Sequence, residues 1–179
     1  TNNKKQNTDK KYNISYMWYK VPYYKGTTNP IAGSWKDTKR KEISGNHAVM
    51  TGPENNITGV DLDFGYKFTD EELYSNPITK KFIELFGKEP TWDTYTVRTR
   101  SNGLHYYFEY EEELKQTQDD VTKIDIRGKG GILTGAGSIV TKGDKKGVFT
   151  CINDKPLMKM PEDLKQFLLE NLYTKRKKT

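Results

Sequence analysis

Six residues, Gly59-Val60-Asp61-Leu62-Asp63-Phe64, constrain this chain more than any other stretch, because apolar and acidic side chains alternate in them with a period of two. Successive side chains of an extended strand point to opposite faces. Asp61 and Asp63 therefore share one face, and Val60, Leu62 and Phe64 share the other. With a strand rise of ~3.3 Å per residue the two acidic Cα atoms stand roughly 6.5–7 Å apart, a spacing that suits carboxylates converging on a divalent cation and leaves them mutually repulsive without one. Taken alone, such a pair also fits a strand that simply ends at a turn, so the rest of the sequence has to decide.

The 179 residues suffice for one domain with a real core, or for one built of two closely packed lobes. Only 33% of residues are apolar, yet 12% are aromatic, with 12 Tyr against 7 Phe, so much of the packing must use amphipathic rings. Lys and Arg outnumber Asp and Glu by 30 to 24, and the net charge of +6 favours a polyanionic partner such as nucleic acid or a nucleotide. Part of that excess lies in the tails. The single Cys151 excludes an internal disulfide and argues against structural zinc, and a reducing intracellular compartment is the expectation. No stretch approaches the ~18–20 apolar residues of a membrane span, and the N-terminal TNNKKQNTDKK lacks the apolar segment of a signal peptide, so a soluble, non-secreted protein is expected. Beginning at Thr and ending in KRKKT, the chain looks excised from a longer polypeptide.

Residues 1–13 read as a flexible lead-in, 14–173 as the folded domain and 174–179 as a basic tail. From Ile14 an aromatic, irregular or strand-like segment is expected, with Trp18 and Trp35 as core or lid anchors. Residues 46–51 and 57–64 are β-type runs separated by the turn formers GPENN, which predicts a hairpin. Residues 77–86 carry apolar side chains at helical spacing, with Pro77 in the first turn and Gly87 past the end. Residues 94–99 and 104–110 predict a second hairpin across Arg100-Ser101-Asn102-Gly103. After an acidic stretch, 121–128, GILTGAGSIV and GVFTCI read as further strands, and PEDLKQFLLENLY as a closing helix. The expected architecture is α+β, a mostly antiparallel sheet with helices on one side.

Polar groups suited to phosphoryl chemistry fall on three of these strands. Asp125 lies between Ile124 and Ile126, so it faces away from both and either meets solvent or joins the other acids at a metal site. The following Arg127-Gly-Lys129-Gly-Gly131 can present two cations and open backbone N–H groups to phosphate, or form a solvated turn. His105 sits in a Tyr/Phe-rich strand and reads as a half-buried hydrogen-bonded residue or a phosphate ligand. His47 is expected to be structural.

The ordered series VDLD, RSNGLHYYF and KIDIRGKGG resembles the primase-polymerase (Prim-Pol) branch of the archaeo-eukaryotic primase superfamily over roughly residues 46–140. The resemblance implies that Asp61, Asp63 and Asp125 are the catalytic, metal-holding carboxylates and that His105 binds the nucleotide phosphate. Arg127 and Lys129 would be triphosphate or template contacts, and Ser101 and Arg100 further nucleotide contacts. Arg98, Trp18 and Tyr106 join Arg100 as template candidates. Two features depart from the family pattern. Gly103 stands two before the histidine where many members have Ser, and GILTGAGS replaces a Pro-containing segment, with Ser138 its one match.

The resemblance further implies a two-lobed catalytic domain, one lobe resembling an RNA-recognition motif. Its reaction would be nucleotidyl transfer from nucleoside triphosphates on a single-stranded DNA template, with Mg2+ or Mn2+ in a two-metal site. A C-terminal helicase in the same parent polypeptide would be a partner. Two alternatives stand beside this reading: a non-catalytic single-strand-binding module of a replication protein, and a metal-dependent nuclease. No GxxxxGK[ST] loop occurs, so the chain itself is not read as a helicase.

Overall fold

The structure, a computed structural model, describes residues 14–31, 39–65 and 68–173. The expected lead-in, the basic tail and Trp35 lie outside the described residues. A 3-10 turn at Ile14–Met17 leads into β1 (Lys20–Pro22), β2 (His47–Met50) and β3 (Ile57–Leu62). Helices α1 (Asp70–Tyr74) and α2 (Pro77–Phe86) follow. Next come β4 (Thr96–Arg98), β5 (Leu104–Glu109), β6 (Ile124–Arg127) and β7 (Ile132–Thr134). The chain closes with β8 (Ile139–Val140), β9 (Gly147–Val148), β10 (Thr150–Asn153) and α3 (Glu162–Leu172).

The fold is α+β, and every pairing between these strands is antiparallel. Five strands form the main sheet in the order β10-β4-β5-β3-β6; β1-β2-β7 form a second sheet, and β8 and β9 a two-stranded hairpin. Period-two alternation decides what each face of the main sheet meets. Val60 and Leu62 of β3, Tyr106 and Phe108 of β5 and Ile124 and Ile126 of β6 pack with Phe82 of α2 and with Leu164, Phe167 and Leu168 of α3. The opposite face, through Ile57, Val97 and Tyr107, packs on Trp18 and on Val49 and Leu133 of the second sheet. Helices thus cover one face, as expected, and a small sheet covers part of the other.

Local sequence explains the helices. Asn76 caps α2 by accepting from the N–H groups of Ile78 (2.9 Å) and Thr79 (3.1 Å), and Pro77 occupies a first-turn position where no donor is needed. Gly87, at φ +92°, ends it in a conformation that disfavours other residues. The short α1 was not expected from the sequence. It is held by a reciprocal pair in which Glu72 N–H donates to the Thr69 hydroxyl and Thr69 N–H to the Glu72 carboxylate.

One expected hairpin does not form. The turn after Gly52 closes, with Gly52 and Ile57 exchanging two backbone hydrogen bonds, but β2 then joins β1 and β7 while β3 joins β5 and β6. β3 is paired along both edges and has none left for β2. By contrast the β4–β5 hairpin is present, and Asn102 supplies the positive φ of +65° in its turn.

Candidate active site

The site lies where the second sheet stops covering the main one. Gly59 on β3 faces the second sheet so closely that a Cβ there would stand 2.5 Å from a Leu133 methyl. Two residues further along the same face is Asp61, and there the two layers part into a pocket of about 230 Å³. Asp61, Asp63, Arg100, Ser101, His105 and Arg127 all line it.

Register places the chemistry side by side. Asp61 is paired with His105 on β5 and with Asp125 on β6, so the three side chains occupy one row across three adjacent strands. The His105 Nε2 is 3.5 Å from an Asp61 carboxylate oxygen. Its Nδ1 is buried and has no hydrogen-bond partner among the described residues, an unusual state for a buried polar atom. Asp63, just past β3, continues the ladder by donating its N–H to the Lys123 carbonyl (2.9 Å).

Asp125 shares the face of Asp61 rather than meeting open solvent. Its carboxylate accepts from Asp119 N–H (2.9 Å) and the Thr117 hydroxyl (3.1 Å), with the Arg127 guanidinium 3.9 Å away. Burial pushes its carboxyl above the ordinary range, and the negative charge of Asp61 adds to this; the Asp119 N–H, Arg127 and Thr117 pull the other way. Ionising Asp125 therefore costs folding free energy. That cost is absent below the unfolded carboxylate range and grows as pH rises through the folded value. Asp125→Asn keeps an acceptor toward Thr117 and Asp119, so it is expected to melt higher than wild type at about pH 8 and together with it at about pH 3. Thermal melts at both values check this, and a variant less stable at the higher pH would show that pairing with Arg127 outweighs burial.

The remaining expected residues divide. Arg100 lines the pocket and donates to the Lys145 carbonyl (3.0 Å). Lys129 is exposed on the β6–β7 turn and is not among the pocket-lining residues. The glycine turn itself is a packing device rather than an open phosphate cradle: Gly128 N–H donates to the Gln116 side chain (3.3 Å), and Gly131 N–H to the Gly128 carbonyl (3.0 Å). A Cβ on Gly131 would sit 2.0 Å from that Gln116 oxygen.

Three template candidates are corrected. Arg98 lies on the helix-covered face with Leu104 and pairs with Glu89 (2.8 and 3.2 Å). Trp18 is buried, stacked on Tyr107 at 4.9–5.3 Å from its ring neighbours, and serves the core. Tyr106 is buried, with its hydroxyl donated to the Pro90 carbonyl. Ser138 is also structural, since its hydroxyl accepts from His47 N–H (3.1 Å), and His47 itself bonds the Gly45 carbonyl (3.0 Å). Gly103 has no room for the hydroxyl residue of the family pattern, because a Cβ would lie 2.8 Å from the Leu62 carbonyl.

Sequence reasoning missed Tyr23, Thr134 and Phe149, which complete the pocket wall, with Tyr23 and Thr134 joined through their hydroxyls (3.2 Å). It also missed Thr117 and Asp119, the braces of Asp125. No local signal marks the first set, which is joined across distant segments, while the braces of Asp125 lie only six and eight residues before it, in an irregular stretch whose course no periodic pattern predicts.

Among the described residues no three His, Cys, Asp or Glu side chains are gathered as a ready-made metal centre. The donors that do line the pocket, Asp61 and Asp63, are hard oxygens. Mg2+-type ions are commonly held by one or two carboxylates and completed by water and substrate phosphates, so the pair fits a cation of that kind and does not fit a closed protein cage.

Comparison with protein-family models matches residues 2–163 to the one described as "Bifunctional DNA primase/polymerase, N-terminal". No curated protein sequence matches the chain.

Proposed function

Because the chain belongs to the Prim-Pol family of bifunctional DNA primase/polymerase N-terminal domains, we propose that it carries out template-directed nucleotidyl transfer in DNA replication, using nucleoside triphosphates on single-stranded DNA. The observation that carries this reading is the row His105–Asp61–Asp125 across three adjacent strands, of which His105 and Asp61 line a pocket together with Asp63, Arg100 and Arg127, while Asp125 lies outside its lining. In the reaction a 3′-hydroxyl attacks the α-phosphorus, the bond to the bridging oxygen breaks, and pyrophosphate leaves.

Asp61 and Asp63 would hold Mg2+ or Mn2+, with Asp125 one strand over as the third carboxylate. A bound cation of this kind lowers the pKa of the attacking hydroxyl and neutralises the triphosphate. The chain's own groups supply position and charge. Arg100 and Arg127 face the polyphosphate, and guanidinium forks suit its oxygens. His105, which lines the pocket with its Nε2 3.5 Å from the Asp61 carboxylate, would be the phosphate contact. Ser101 offers a hydroxyl from the β4–β5 turn. Lys129 contributes charge from the turn beside the site.

The same reading takes residues 14–173 as the catalytic unit and the main sheet as an RNA-recognition-motif-like lobe, with the small sheet as the second. Supporting it, β3, α2, β4, β5 and β6 follow the strand order of that motif, although 110–123 returns without the helix expected before the last strand. A helicase in the same parent polypeptide is part of the proposal on family grounds.

Synthesis on single-stranded templates, comparing NTPs with dNTPs in Mg2+ and Mn2+, tests the function. Labelled product that depends on nucleotide and template is expected; cleavage of the template, or binding without incorporation, would overturn it. His105→Ala is expected to weaken nucleotide binding about 10- to 100-fold, the worth of one hydrogen bond to a charged group. Unchanged nucleotide affinity by titration calorimetry would make His105 a residue of the fold.

A further inference from the structure

Residues 145–149, which leave the β8–β9 loop and run through β9, lie against two of the side chains that line the pocket. The antiparallel pairing of β10 with β4 runs as far as Thr150 opposite Arg98, and beyond that pair the two chains stay in touch. The Arg100 guanidinium donates through Nη1 to the Lys145 carbonyl (3.0 Å). Gly147 lies so close that a Cβ there would stand 2.7 Å from the Arg100 Cβ, and 3.3 Å from both its Cα and its carbonyl oxygen. Phe149 is buried, lines the pocket and has its ring 6.3 Å from that of His105. Gly147 and Phe149 thus face the site with strand period, while Val148 between them is exposed.

This segment is anchored on both sides. Phe149 N–H donates to the Ser138 carbonyl (3.0 Å), and the Phe149 carbonyl accepts from Gly137 N–H (2.7 Å). β8 is in turn tied to the start of β2 and the residue before it: the Ser138 hydroxyl accepts from His47 N–H (3.1 Å), and Asn46 accepts from Ile139 N–H (2.8 Å) and donates to the Ile139 carbonyl (2.7 Å). Through β8 the segment is held by the second sheet, and through β10 by the main one. An arginine side chain is long and rotamer-rich, so one fixed acceptor removes freedom that a ligand would otherwise have to remove, and it leaves the other guanidinium donors for phosphate.

We infer that residues 145–149 are a positioning strap for the phosphate end of the nucleotide, and that Gly147 is the positioning residue whose missing side chain lets the strap lie flat on Arg100. Gly147 is not among the residues that line the pocket, so it acts through Arg100. A methyl at 147 would meet Arg100 at the root of its side chain, where rotation of the outer torsions gives no relief. Either the strap lifts and takes the Lys145 carbonyl with it, or Arg100 itself is displaced. Both outcomes cost the guanidinium its preset direction. The inference rests on the proposed function for Arg100 meeting a polyphosphate, and its test needs no turnover.

The test measures binding of inorganic triphosphate and of ATP by titration calorimetry in Mg2+, without template. G147A is expected to bind both about tenfold more weakly than wild type, and equally so, because Arg100 meets phosphate rather than base. G143A adds the same methyl at another positive φ (+83°) of the same hairpin, where a Cβ would meet nothing within 4 Å, and is expected to bind within about twofold of wild type. R100A is expected to lose about 10- to 100-fold, and G147A added to it to cost less than about twofold more, since two changes that act through one contact are not additive. Unchanged binding by G147A, an equal loss in G143A, or a full further loss in G147A/R100A would each overturn the strap. Wild type that binds neither ligand, or R100A that binds as wild type does, would overturn the strap together with the role given to Arg100 under the proposed function. A loss in R100A without one in G147A removes the strap alone. If the coupled loss appears in a protein that incorporates no nucleotide, the strap stands and the catalytic reading falls.

Discussion

Replacing Asp61 by asparagine is expected to lower nucleotide incorporation about a thousandfold or more, equivalent to ~4 kcal/mol of transition-state stabilisation, while the protein stays folded. Asp61 is the middle member of the row, between His105 and Asp125, and it lines the pocket. Asparagine preserves shape and leaves the β3 backbone ladder untouched. It removes the negative charge that a cation would need and that faces His105 at 3.5 Å. Primer extension measures the first effect and a circular-dichroism melt the second. Incorporation within about tenfold of wild type would remove Asp61 from the reaction, since losing a directly ligating carboxylate should exceed the 10- to 100-fold typical of outer-shell changes.

The largest expected effect on stability lies on the other side of the sheet. Phe82 of α2 is fully buried, with the rings of Phe86, Phe167, Phe64 and Trp92 at 5.0, 5.7, 5.9 and 6.4 Å. Truncation to alanine removes those contacts and leaves a cavity that the four surrounding rings cannot all collapse into. A loss of about 3–5 kcal/mol is expected, against a total of about 5–15 kcal/mol for a typical domain. Urea unfolding should show the midpoint falling with little change in slope. A loss below about 1 kcal/mol would mean that the helix layer contributes little to holding the sheet. Phe82→Leu should retain most of the stability, because it keeps bulk in the same space.

The contrast between these two faces explains what could be read in advance. The helix α2 and the β4–β5 hairpin were legible because their signals are local: Pro77 and Gly87 bracket one, and Asn102-Gly103 closes the other. The box Thr69–Glu72 was equally local and would have revealed α1. The DxD geometry was legible too, since period two alone puts Asp61 and Asp63 on one face. What local pattern could not supply is adjacency. Whether β2 pairs with β3 depends on whether β5 and β6 claim both edges of β3. The open look of Gly128–Gly131 is cancelled by Gln116 and Thr51, which approach from other segments of the chain. Arg98 and Arg100 look alike in the sequence, but only the pairing with β5 turns Arg98 toward the helices and leaves Arg100 beside the pocket. The three motifs entered one site through family resemblance, and the register of β5-β3-β6 is the physical form that their association takes.

That register also has a consequence during synthesis. β3 emerges long before either strand that will flank it, so for a time it is an unpaired, largely apolar edge, the kind that pairs with copies of itself. A carboxylate within such an edge is a recognised guard against that pairing. Asp61, and Asp63 just beyond the strand, would serve as that guard on the nascent chain. A substitution that neutralises Asp61 should therefore raise the aggregated fraction during refolding even where it leaves the finished protein as stable as before.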